Sequence, residues 1–275
     1  MLTGCLAPAP PAEPEPEPAD YAQLAQADLA GRPGVRDLVL VQEPAADEST
    51  ADDLVTLSIT MADDATTDEV VQIAEAALAF CNEHAVPGQW TAAISFELID
   101  TDPDDDMPAQ DGSGFALYPE AVDARDFMAL RDAPGVQSAS FAARPAFVTV
   151  ASASDLPVVQ ELLSGSPLWQ EGGTLWAEAG RVRLTELPES LTAAGYEAII
   201  AASIAFAAAQ FWLEAPTSGN GWPQLFVDQV TLDEAPQVAA ALRAATNAAP
   251  FDVNYVIRAI GPDGPVDTAG VLGKS

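Results

Sequence analysis

Apolar and polar residues alternate strictly through three stretches of the chain. Val55, Leu57, Ile59 and Met61 are separated by Thr56, Ser58 and Thr60. Ala92, Ile94, Phe96 and Leu98 are separated by Ala93, Ser95 and Glu97. Val253, Tyr255, Ile257 and Ala259 alternate with Asn254, Val256 and Arg258. A period of two with one polar side predicts strands buried on one face only, in largely antiparallel sheets. A doubly wound nucleotide-binding sheet, covered on both faces, needs continuous apolar runs instead and is disfavoured. Helices are predicted between the strands, with start signals of their own. Thr66-Thr67-Asp68-Glu69 offers a capping box before Val70 to His84, and Thr231-Leu232-Asp233-Glu234 another before Pro236 to Asn247. Arg32-Pro33-Gly34-Val35, Val86-Pro87-Gly88 and Ala133-Pro134-Gly135-Val136 recur as helix-to-strand turns, which points to internal duplication.

In chain order the pattern predicts a helix over Tyr21 to Leu29 and a strand over Val35 to Val41. Strand, helix, strand follow at 54–61, 67–84 and 90–99, at 114–118, 121–132 and 136–142, and at 145–151, 154–164 and 174–178. A turn at Ala179-Gly180 leads into 181–186, then an alanine-rich helix, a strand near Phe211 to Glu214, and a last set at 224–230, 232–247 and 252–260. The expected fold class is α+β: repeated β-α-β halves forming ferredoxin-like units, with largely antiparallel sheets and the helices on one face. The expected division is a segment 1–19, a helix-strand piece 20–49, ferredoxin-like units at 50–142 and 143–216, and a C-terminal β-α-β half with its tail at 217–275.

The 275 residues are 49% hydrophobic and 19% charged, a globular composition with enough chain for a sizeable core. Charge changes the picture more. Ten Lys+Arg stand against 42 Asp+Glu, a formal net charge of -32, and Lys274 is the sole lysine. Such a surface repels phosphate backbones and anionic headgroups, which argues against nucleic acid as a partner. Two cysteines in unrelated contexts, Cys5 and Cys81, make no disulfide framework.

Leu2-Thr3-Gly4-Cys5 resembles the lipobox of bacterial lipoproteins, in which a small-residue site precedes a cysteine that becomes lipidated. The resemblance covers four residues and implies lipidation at Cys5. The run APAPPAEPEPEPA from Ala7 to Ala19 reads as an extended polyproline-type tether behind it. An acyl anchor gains about 0.8 kcal/mol per buried CH₂, so the expected location is the cell membrane, lipid-anchored and extracytoplasmic. The apolar stretch from Leu191 to Leu213 carries Glu197 and Gln210 and reads as a buried helix rather than a membrane span.

Candidate chemistry is sparse. His84, the one histidine, follows a long helix, where a cation favours the negative end of the helix dipole. No Gly-x-Ser-x-Gly elbow accompanies it, and a single imidazole cannot build a multi-histidine zinc site. Cys81 lies on the apolar face of its helix with Ala77 and Leu78 and reads as a small core hydrophobe. Asp102, Asp104 and Asp106 have the alternate spacing of calcium ligands. Met107 stands where the loop glycine belongs and Ser113 where the closing glutamate does, so the run reads as a solvated linker. No glycine-rich phosphate loop follows a strand, and no cofactor is expected. Arg181 and Arg183 share the polar side of one strand with Thr185, opposite Val182 and Leu184. They are read either as cross-strand partners of Glu178 or Glu186, or as an anion or protein-partner contact. The expected function is a non-enzymatic, acidic, lipid-anchored envelope protein presenting its surfaces to a protein or ligand. A transport-associated solute-binding lipoprotein and a carboxylate-dependent envelope hydrolase are the alternatives.

Overall fold

The computed structural model describes residues 21–43, 54–84, 89–96, 112–118, 122–141, 145–166, 174–186, 191–214, 223–245 and 252–274. In chain order they form α1 (Tyr21–Asp28), β1 (Val35–Glu43), β2 (Leu54–Met61), α2 (Thr67–His84), β3 (Gln89–Phe96), β4 (Gly114–Tyr118), α3 (Ala124–Arg131), β5 (Val136–Phe141) and β6 (Pro145–Val150). They continue through α4 (Leu156–Ser164), β7 (Thr174–Ala179), β8 (Val182–Glu186), α5 (Ala193–Ala205), β9 (Gln210–Glu214), β10 (Gln224–Thr231), α6 (Ala235–Ala244), β11 (Asn254–Gly261) and β12 (Gly264–Val271). All the strands belong to one twelve-stranded sheet, laid down in sequence order from β1 to β12. Antiparallel and parallel pairings alternate along it: β1 is antiparallel to β2, β2 parallel to β3, β3 antiparallel to β4, and so on to the antiparallel β11 and β12. The chain is therefore a series of α-β-β steps, each helix followed by an antiparallel strand pair.

This corrects the expectation of separate ferredoxin-like units with largely antiparallel sheets. In the split β-α-β arrangement another strand lies between the two parallel ones. Here β2 and β3 pair directly from Leu54↔Gln89 to Met61↔Phe96, and β6 and β7 pair directly from Pro145↔Thr174 to Thr149↔Glu178. The sheet is mixed and continues unbroken across 49/50, 142/143 and 216/217, where β1–β2, β5–β6 and β9–β10 pair. Alternation along a strand states which side is buried; it does not state which strand lies alongside.

Helix starts and turns form as the local chemistry dictates. The Thr66 amide and hydroxyl both donate to Glu69 Oε2 at 2.8 Å, and the Glu69 amide donates back to Thr66 Oγ1 at 3.4 Å. The same box recurs at Thr231 and Glu234 before α6. These bonds, from the backbone amide first and the hydroxyl second, hold the Glu69 and Glu234 carboxyls below the usual range. The two described Pro-Gly turns are also alike. Gly34 and Gly135 have φ of 78° and 83°, a left-handed conformation that glycine adopts without steric cost. Each accepts a bond at its carbonyl from the residue just past the partner strand, Ala62 at 2.8 Å and Ala151 at 2.7 Å, and each precedes a bulge one residue into the strand.

All six described helices lie on one face. Phe80 of α2 packs on Trp90 at 6.0 Å, and Phe127 of α3 packs on Phe96, Phe115 and Phe141 at 5.8, 4.6 and 5.7 Å between ring centroids. Those sheet residues are register partners or sit on the same side of their strands, through Val55↔Trp90, Ile94↔Phe115 and Phe115↔Phe141. The buried face continues through Ala146 and Leu175, then Ala177, Leu184, Leu213, Leu225 and Tyr255, as α4, α5 and α6 pack successively beside α3. Successive β-α-β connections step the same way across the sheet while their strands reverse direction, so helices on one face require the connections to alternate in hand. At least two of the five, either α3 and α5 or α2, α4 and α6, are therefore left-handed, against a strong general preference for right-handed connections. Uniformly right-handed connections would have placed helices on both sides. Among the described residues, the alternation leaves the second face of the sheet without a covering layer of helices.

Candidate binding face on the open side of the sheet

Side chains at every second position of each strand point to that open side. Along β2 and β3 it carries hydroxyls that pair across the strands, Thr56 with Thr91 at 3.1 Å and Thr60 with Ser95 at 3.5 Å. From β6 onward it carries large aromatics. Phe147, Trp176 and Trp212 are 43%, 42% and 41% exposed, an unusual state for rings in the middle of strands. Phe147 and Trp176 are register partners with ring centroids 5.7 Å apart and 32° between planes. Trp212 and Phe226 are partners on β9 and β10 at 6.3 Å and 55°.

Two rows cross the strands side by side. One runs Ser138, Thr149, Glu178, Arg183, Trp212, Phe226 from β5 to β10. The other runs Ser140, Phe147, Trp176, Thr185 from β5 to β8. Where they overlap, a groove of about 300 Å³ opens between the polar row and the Phe147–Trp176 wall, with Gly112 at one end. Its charged residues among the described lining are Glu178 and Arg183, and they pair: Arg183 Nε and Nη2 donate to Glu178 Oε2 at 3.2 and 3.0 Å. The described lining is thus charge-balanced in a chain of net charge -32. Thr185, opposite Trp176, is buried although it faces the open side.

The two candidate arginines part company. Arg183 lines the groove, whereas Arg181 reaches toward β9 and β10, donating from Nη1 to the Ala208 carbonyl at 2.7 Å and to Gln229 Oε1. Gln229 occupies the β10 bulge with φ of 61°, so Arg181 braces an irregular turn of backbone. The Glu186 side chain lies outside the described ones, and Glu178 is the partner Arg183 takes. His84 packs against Phe80 at 4.6 Å and Tyr21 at 6.1 Å, at the end of α2. Cys81 is fully buried, and desolvation pushes its thiol up to about 11, which suits a core residue rather than a nucleophile. Cys5 and the acidic run with Asp102, Asp104 and Asp106 lie outside the described residues. Among the described residues no cluster of three or more His, Cys, Asp or Glu is placed to hold a metal, and no helix is long and apolar enough to cross a membrane.

Sequence reasoning named Arg183, which lines this groove, and did not name the aromatics beside it. The signal was present: Trp176 stands between Leu175 and Ala177, and Trp212 between Phe211 and Leu213. A large aromatic at the polar phase of an alternating strand marks an apolar site on the exposed side. No protein family, curated protein or solved structure matches the chain.

Proposed function

We propose that this is a lipid-anchored cell-envelope binding protein, held to the membrane through Cys5 and spaced from it by the Pro/Glu run from Ala7 to Ala19, whose sheet face opposite the described helices is the binding surface. The reading rests chiefly on one observation: a groove on that face, walled by half-exposed Phe147 and Trp176 and floored by a pre-formed Arg183–Glu178 pair. Exposed aromatics beside fixed polar groups supply both contact area and orientation for a ligand. The acidic surface supports an extracytoplasmic body that stands clear of anionic headgroups.

The test has two parts. With its native leader, the protein partitions into detergent and Cys5→Ala releases it; unchanged partitioning removes the anchor. A photo-crosslinking residue at position 147 on the open face then forms adducts in intact cells, whereas one at position 162 on α4 does not. Adducts from 162 alone would move the binding surface to the helix side.

A further inference from the structure

We propose that the ligand is a neutral oligosaccharide laid across the strands, its C–H faces on the Phe147–Trp176 and Trp212–Phe226 pairs and its hydroxyls on Ser138, Thr149, Glu178 and Arg183; this rests on the open face being the binding surface.

Each class of ligand can be weighed against the same groups. Polyanions meet a chain of net charge -32, and the one cation among the described lining residues is already bonded to Glu178. An extended peptide binds a sheet by adding to an edge strand, but β6 to β10 are each paired on both sides, so this face offers it no free backbone. A wholly apolar molecule would strip water from Ser138, Ser140, Thr149, Glu178 and Arg183 and return no bonds to them. A sugar ring suits the arrangement as built. Its axial C–H groups present a weakly positive apolar face that lies against the negative face of an aromatic ring. Its rim hydroxyls both donate and accept. Adjacent hydroxyls can donate to the Glu178 carboxylate and accept from the Arg183 guanidinium without breaking the pair that orients them.

Length follows from strand spacing. Trp176 on β7 and Trp212 on β9 are two strands apart and in adjacent rows, roughly 12 Å. Arg183 and Thr185 on β8 lie between them. Both platforms therefore engage only a ligand longer than a single ring. All these groups sit on strands rather than loops, so little ordering opposes binding.

The experiment is an array of neutral, sulfated and uronate-bearing glycans probed with full-length Cys5→Ala protein, followed by titration of the best neutral series at increasing length. Tryptophan fluorescence reports binding. Saturable binding to neutral glycans is expected, tightening once the ligand spans both platforms. Trp176→Ala weakens it by roughly tenfold or more, the scale of a buried aromatic hot spot. Trp176→Phe keeps a ring and most of the affinity. Should Trp176→Ala fold poorly, Thr149→Lys places a charged stem in the groove without removing a buried group, and it abolishes binding. No neutral glycan bound, binding confined to anionic glycans, or affinity indifferent to Trp176→Ala or Thr149→Lys would each overturn the proposal. Glycan failure with adducts still forming from position 147 would remove the sugar and leave the binding face standing.

Discussion

Replacing Phe127 with alanine tests how the helix layer is keyed to the sheet behind the groove. Phe127 is fully buried, and its ring is enclosed by Phe96 from β3, Phe115 from β4 and Phe141 from β5. Arg131, one turn further along α3, lies 4.0 Å over the Phe96 ring, bonds to the Asp63 carbonyl at 2.8 Å and also pairs with its carboxylate. Truncating a buried phenylalanine costs about 3–5 kcal/mol, more where the walls cannot close. Here the walls are rings on three paired strands, which cannot move inward without breaking register. The expectation is therefore about 4–5 kcal/mol, a large part of the roughly 5–15 kcal/mol that holds a domain together. Phe127→Leu, which keeps most of the volume, costs about 1–2 kcal/mol. Urea denaturation followed by far-UV circular dichroism and tryptophan fluorescence measures both, as a shift in midpoint at unchanged slope. A loss below about 1 kcal/mol for the alanine variant would show that the ring is not enclosed this way. A transition that splits, with Trp90 responding and Trp176 and Trp212 unmoved, would refute the continuity of the sheet through β5 and β6.

The two arginines of β8 and its turn should separate in a mutant pair. Arg183→Ser breaks a pair whose side chains are 53% and 44% exposed, so stability falls by under about 1 kcal/mol while ligand affinity drops; a larger stability loss without a binding change would make the residue structural. Arg181→Ser, which loses its bonds to Ala208 and Gln229, should loosen the β10 bulge, read by faster amide exchange there, and leave binding unchanged. In the Cys5→Ala background Cys81 should resist a thiol reagent at neutral pH until the protein unfolds, and rapid native labelling would contradict its burial. Glu69 and Glu234 are held below the ordinary carboxylate range when folded, so their stabilisation is present above the unfolded pKa, about 4.3, and is lost as pH falls through the folded values. Glu69→Gln with Glu234→Gln should flatten acid unfolding in that window, and an unchanged profile would show that the capping boxes contribute nothing measurable.

Much of the molecule was settled by local chemistry that the sequence states directly. Strict alternation in β2, β3 and β11 marks a sheet buried on one side, because neighbouring side chains on a strand must point to opposite faces. The boxes at Thr66 and Thr231 are likewise written in a few adjacent residues, since the groups that satisfy them lie within one turn of chain, and the Pro-Gly turns at Gly34 and Gly135 close locally through Val35 to Arg32 and Val136 to Ala133. Arg183 and its partner Glu178 could be named for the same reason: a tight turn at Gly180 brings them opposite each other. Strand order was not local. A β-α-β half looks the same in sequence whether its parallel strands touch or are split by a third, and whether its connection turns right or left. That choice depends on how the six described helices pack together over one face, and it separates a single open sheet from a set of ferredoxin-like units. The groove depended on the same decision. Ser138, Phe147, Trp176 and Arg183 come from four different strands, and only their register, on the face opposite the described helices, turns four separated residues into one surface.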